Sequence, residues 1–161
     1  MSGGRSLAET PLGDESRLKT GCSQDWLPHK ILTLCFLASC CAAAATRSVW
    51  DGVYTKQQAT RGQTTYQEVC LKCHGENLGG GEGGPALAGE DFRRKWNGKT
   101  AGDLFGLIRK TMPSDDPGSL SSREYSDLVA YVLSGNEFPA GPKELDRDMA
   151  ALNEILIEIK R

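Results

Sequence analysis

The stretch Cys70-Leu71-Lys72-Cys73-His74 constrains this chain more than any other. Two thiols separated by two residues, with an imidazole directly after the second, form the attachment signature of a covalently held haem. The spacing has a chemical reason. On one helical turn both sulfurs reach the two vinyl groups along one porphyrin edge and form thioethers, while His74 turns its ring inward to ligate the iron. A group held in that way does not dissociate.

Competing uses of the pair need partners that the chain does not readily offer. A zinc site wants four ligands, usually as a second pair at similar spacing, and the other histidine, His29, falls in an N-terminal segment that reads as a removable leader. A thioredoxin-like pair sits beside a βαβ pattern, and no Val/Ile-rich run lies near Cys70. The glycine-rich stretch from Gly75 to Gly84 lacks the Lys-Ser/Thr ending and the preceding strand of a phosphate loop. It suits a loop that bends around the edge of a flat cofactor. With 19 basic and 21 acidic residues the charges nearly cancel, so nucleic acid is not an expected partner.

Residues 1–45 read as a secretory signal. The apolar run from Ile31 to Ala45 is shorter than the roughly 20 residues needed to cross a bilayer, and Ala43-Ala44-Ala45 offers a small-residue cleavage site. The polar segment from Met1 to Asp25 is longer than such a leader needs, which suggests a start further in. Two readings of Cys40 stand side by side. Leu37-Ala38-Ser39-Cys40 resembles a lipobox, whose cysteine becomes a lipid anchor, and a free cysteine is also an ordinary small apolar residue within a signal. Either reading exports the domain. Of six cysteines, Cys22, Cys35, Cys40 and Cys41 precede Thr46, so haem attachment would use both that remain and leave no disulfide.

Helical signals dominate from Thr46 onward. Thr55 to Gln58 fits a capping box opening a helix from Lys56 to about Val69 that delivers Cys70, with Gly62 suited to a close helix crossing. Thr100 to Asp103 opens a second helix, on which Leu104, Phe105, Leu107, Ile108 and Met112 make an apolar stripe before Pro113 stops it. Ser121 to Glu124 is another capping box, and its helix carries Leu128, Tyr131 and Val132 and ends at Gly135. Between these lies Phe92 to Trp96, where Arg93, Arg94 and Lys95 form a solvated face or lend one arginine, with the Trp96 indole, to a haem propionate. The carbonyl of Pro85 is the expected acceptor of the His74 Nδ1 proton. Met112, in Thr111-Met112-Pro113 at a helix end, is the expected second axial ligand. The tail beyond Pro139 has a helical period through Leu145, Met149, Leu152, Leu156 and Ile159, and is expected as a helix on the domain surface.

Together the attachment motif, Met112, Pro85 and the pairing of Gly62 and Tyr66 with Leu128 and Tyr131 resemble a class I cytochrome c over residues from about Val49 to Asn136. The chain is most similar to the single-haem bacterial modules associated with quinoprotein dehydrogenases. The resemblance implies an all-α fold of three main helices around one haem c, with residues 46–138 as the cytochrome c domain and 139–161 as a peripheral tail. It implies thioethers at Cys70 and Cys73, axial ligation by His74 and Met112, and a haem lined by Pro85, Leu87, Trp96, Phe105 and Ile108. It further implies a periplasmic electron carrier rather than an enzyme, with a dehydrogenase as donor and an oxidase or another cytochrome as acceptor. A haem peroxidase or gas sensor is the alternative, and both require an open iron position.

Overall fold

Helix α1 (Lys56–Val69) starts where Thr55 accepts a hydrogen bond from the Gln58 amide at 3.1 Å, satisfying one of the free donors of its first turn. The computed structural model describes residues 47–159, and the expected leader, with Cys40 and the other early cysteines, lies outside them. After α1 come the single turn α2 (Leu71–His74), α3 (Glu90–Trp96), α4 (Ala101–Thr111), α5 (Ser122–Gly135) and α6 (Met149–Asn153), with strands β1 (Arg47–Ser48) and β2 (Ile155–Leu156). The expected all-α class holds: among the described residues the strands form one short parallel pair, Arg47 beside Ile155 and Ser48 beside Leu156.

The frame is α1 crossed by α5. At Gly62 a Cβ would lie 1.9 Å from the Asp127 carbonyl oxygen and 3.0 Å from the Leu128 nitrogen, so the two backbones meet where no side chain fits. One turn on, Tyr66 and Tyr131 pack with ring centroids 5.3 Å apart. Arg61 adds a forked contact to Asp127 at 2.8 and 2.9 Å and reaches Glu144 at 2.9 Å. Gly62→Ala is therefore expected to cost about 3 kcal/mol or more, the upper range for overpacking, because backbone rather than a pliant side chain stands in the way. Guanidinium unfolding of the variant measures it.

Caps fix the other long helices. Thr100 and Asp103 cap α4 reciprocally at 2.8 and 3.0 Å, and Ser121 and Glu124 do the same for α5 at 2.7 and 3.3 Å. The Ser121 bonds hold the Glu124 carboxyl below its ordinary range, so this contribution persists through neutral pH and fades only as acid protonates the group. The box expected at Thr55 is half formed. Gln58 does not reach back to Thr55; it is 1 % exposed, donates to the Leu145 carbonyl and to Ser126 Oγ at 3.1 Å each, and accepts from the Leu145 amide at 2.7 Å.

That exchange corrects the expectation for the tail, which is neither a long helix nor peripheral. Among the described residues beyond Pro139, helix occupies Met149–Asn153, and the others form a strap hydrogen-bonded along the domain. The Gly141 amide donates to Tyr54, Leu145 pairs with Gln58, Ile157 exchanges bonds with Lys99 and Gly98, and the Ile159 amide donates to Asn97 Oδ1. Leu145, Leu152, Ile155 and Ile157 are all buried in the core. In strand β2 Ile155 is buried and Leu156 half-buried, while Ile157 is buried in the core again. Trp50 joins this layer, donating through Nε1 to the Glu158 carbonyl at 2.9 Å and standing edge-on to Phe138.

Candidate functional site

Helix α1 ends at Cys70, and α2 turns the chain so that Cys70, Cys73 and His74 all face one cavity of about 720 Å³. The amides of Cys73 and His74 donate to the Cys70 carbonyl at 3.2 and 3.0 Å, which sets the pair on a single turn. Tyr66 and Val69 of α1, Phe92 and Trp96 of α3, Leu104, Leu107 and Ile108 of α4, and Leu128 and Val132 of α5 supply most of the apolar wall. Met112, at the C-terminal cap of α4, faces the same space.

His74 is held in one orientation. Its Nδ1 lies 2.8 Å from the Pro85 carbonyl oxygen, which can only accept, so Nδ1 carries the proton and Nε2 keeps a free lone pair. The Pro85 segment is anchored in turn by Asn136, whose Nδ2 donates to Leu87 at 2.9 Å and whose Oδ1 accepts from the Gly89 amide at 3.1 Å. Tyr66 donates to the Gly75 carbonyl at 2.7 Å, and burial pushes its hydroxyl up to about 12, so it remains a donor through neutral pH. The glycines of the loop serve closeness. A Cβ on Gly84 would stand 2.7 Å from His74 Cε1, and one on Gly83 would stand 3.0 Å from Cys73 Sγ.

Several expected site residues meet here and others do not. Pro85, Leu87, Trp96 and Ile108 line the cavity with the two cysteines, His74 and Met112, whereas Phe105 turns away to pack edge-on against Tyr125 of α5 at 6.2 Å. The reason is helical phase. Leu104, Leu107, Ile108 and Thr111 share one face, and Phe105 lies about 100° round from Leu104. The arginines are also placed otherwise than the propionate reading expects: Arg94 pairs with Asp91 and Glu90, and Arg93 approaches Glu137. Of the basic run only Lys95 lines the cavity. Sequence offers no signal for Asn136, whereas Leu104 and Leu107 belong to the apolar stripe of α4, whose i, i+3, i+4, i+7 spacing points them to one face.

The donor set suits haem and little else. Burial, with the neighbouring Cys73, pushes the Cys70 thiol up to about 11, the opposite of the lowered thiol that a dithiol redox catalyst needs. Among the described residues there is no cluster of three or more His, Cys, Asp or Glu side chains fit to hold a metal ion. A largely apolar cavity lined by paired thiols, an oriented imidazole and a thioether suits a covalently attached porphyrin.

Residues 57–132 match the family model described as cytochrome c oxidase, cbb3-type, subunit III. Over this region the chain is similar to a cytochrome c domain, and its helices have that fold. No curated protein and no solved structure matches the chain. The cytochrome c domain implies one covalently bound haem c and an electron-transfer role with redox-protein partners. Its match spans α1 through most of α5, so the N-terminal segment and the strap lie outside it.

Proposed function

We propose that the cytochrome c domain is a single-haem electron carrier of class I type, exported to the periplasm, with His74 and Met112 as axial ligands. Haem c supplies an iron that cycles between Fe(III) and Fe(II). The observation that carries the reading is the pairing of a proton-fixed His74 with a Met112 thioether on the walls of one apolar cavity. The Pro85 bond makes the imidazole a stronger donor, and methionine opposite it raises the potential. A site closed by two protein ligands moves electrons and leaves no position for peroxide or gas. Trp96 and Lys95 line the cavity and would be available to neutralise a propionate, Lys95 in place of the arginine expected from sequence. Lys99 also lies over the Trp96 ring at 5.0 Å.

The donor in this reading is a periplasmic dehydrogenase, as in the quinoprotein systems that such modules serve, and the acceptor is an oxidase or another cytochrome. Small, transient interfaces suit that traffic. The domain is either free or tethered by a lipid on Cys40, and mass spectrometry of the exported product distinguishes the two while weighing the haem. Met112→Ala is expected to abolish the long-wavelength band of sulfur-ligated ferric haem and to let the reduced form bind carbon monoxide rapidly. The midpoint potential should fall by a sizeable part of the roughly 0.8 V that axial ligands span. Unchanged spectra would assign the position to another group.

A further inference from the structure

The loop after α4 closes on one hydroxyl. Tyr125, fully buried in the first turn of α5, donates to the Met112 carbonyl at 2.9 Å and accepts from the Leu120 amide at 3.4 Å. It thereby ties both ends of the loop 112–120 to the helix that crosses α1. Within the loop, Asp116 donates to Pro113 at 3.1 Å and Ser119 to Asp116 at 3.3 Å, which are local turns. The Tyr125 ring is itself fixed edge-on against Phe105 of α4.

We propose that Tyr125 is a positioning residue for the distal ligand, its hydroxyl holding the Met112 backbone where the thioether stays on the iron. The inference rests on Met112 being that ligand. A methionine side chain has three rotatable bonds and adapts readily, so its sulfur is placed only as well as its backbone is. A hydroxyl that donates to the carbonyl of that same residue fixes the adjoining peptide plane, and by accepting from Leu120 it keeps the loop from swinging outward. Tyr125 is not among the residues that line the cavity; it acts through Met112.

Tyr125→Phe keeps the ring and removes both bonds. In the haem-loaded protein, the sulfur-free fraction should rise roughly fivefold to tenfold, the usual weight of a buried hydrogen bond, and carbon monoxide should bind the reduced form faster by the same factor. Tyr54→Phe is the matched control, since it deletes a buried hydroxyl that donates to the Phe138 carbonyl at 2.6 Å; its carbon monoxide rate should not change. Equal acceleration in both variants, or none in Tyr125→Phe while Met112→Ala abolishes the sulfur–iron band, overturns the positioning role. If Met112→Ala leaves that band intact, the ligand assignment itself fails first. On the unaltered holoprotein, the Leu120 amide should resist hydrogen exchange, and exchange at the rate of a free loop overturns the proposal whether or not the variant takes up haem.

Discussion

Replacing Cys70 and Cys73 together by alanine is expected to yield a colourless chain with little helical circular dichroism. The apolar walls of the 720 Å³ cavity come from four different helices, α1, α3, α4 and α5. Without the porphyrin these walls lose the atoms they pack against. At roughly 24 cal/mol per Å³ of residual cavity, even half of that volume left dry would cost as much as the about 5–15 kcal/mol by which whole domains are stable. The cavity must therefore collapse or flood, and α3 and α4, which bury Phe92, Trp96 and Leu104 toward it, lose their packing. Far-ultraviolet circular dichroism of the exported double variant is the test. Helical content equal to that of the parent would show a frame that stands without its cofactor.

Deleting residues 140–161 is expected to remove most of the stability of the haem-loaded domain. Leu145, Leu152, Ile155 and Ile157 would go, each buried to 3 % exposure or less, and full burial of such a side chain contributes about 1.5–3 kcal/mol. The loss does not stop there. Gln58 would keep its place inside the α1–α5 crossing while losing both its partners on Leu145, and an unsatisfied buried amide costs about 1–3 kcal/mol per group. The midpoint of guanidinium unfolding, followed at the haem band, measures the effect. A midpoint unmoved by the deletion would make the strap an ornament.

Much of the site could be read from residue types because its chemistry is local. The helix start at Thr100, the capping box at Ser121, the close crossing at Gly62 and the Pro85 acceptor each depend on residues near in sequence or on one dominant steric fact, and the structure shows each of them. What sequence concealed is long-range. Gln58 looks like a capping residue until Leu145, far along the chain, takes its side chain. Phe105 belongs to an apolar stripe until the rotation of α4 is set by α5 on one side and the strap on the other. The tail has a helical period, yet pairing of Ile155 and Leu156 with Arg47 and Ser48, and of Ile157 with Lys99, outweighs so weak a local preference.

The strap packs on the side of α4 that turns away from the cavity. A Cβ on Gly102 would lie 2.0 Å from Asn153 Oδ1, and Gly106 faces Met149, while Leu104, Leu107 and Ile108 look toward the porphyrin space. A helix braced from behind in this way has little freedom to recoil when the charge in front of it changes by one unit. In the function proposed, small nuclear displacement per electron means a low reorganisation energy, so traffic through the domain can be rapid even when donor and acceptor differ only slightly in potential.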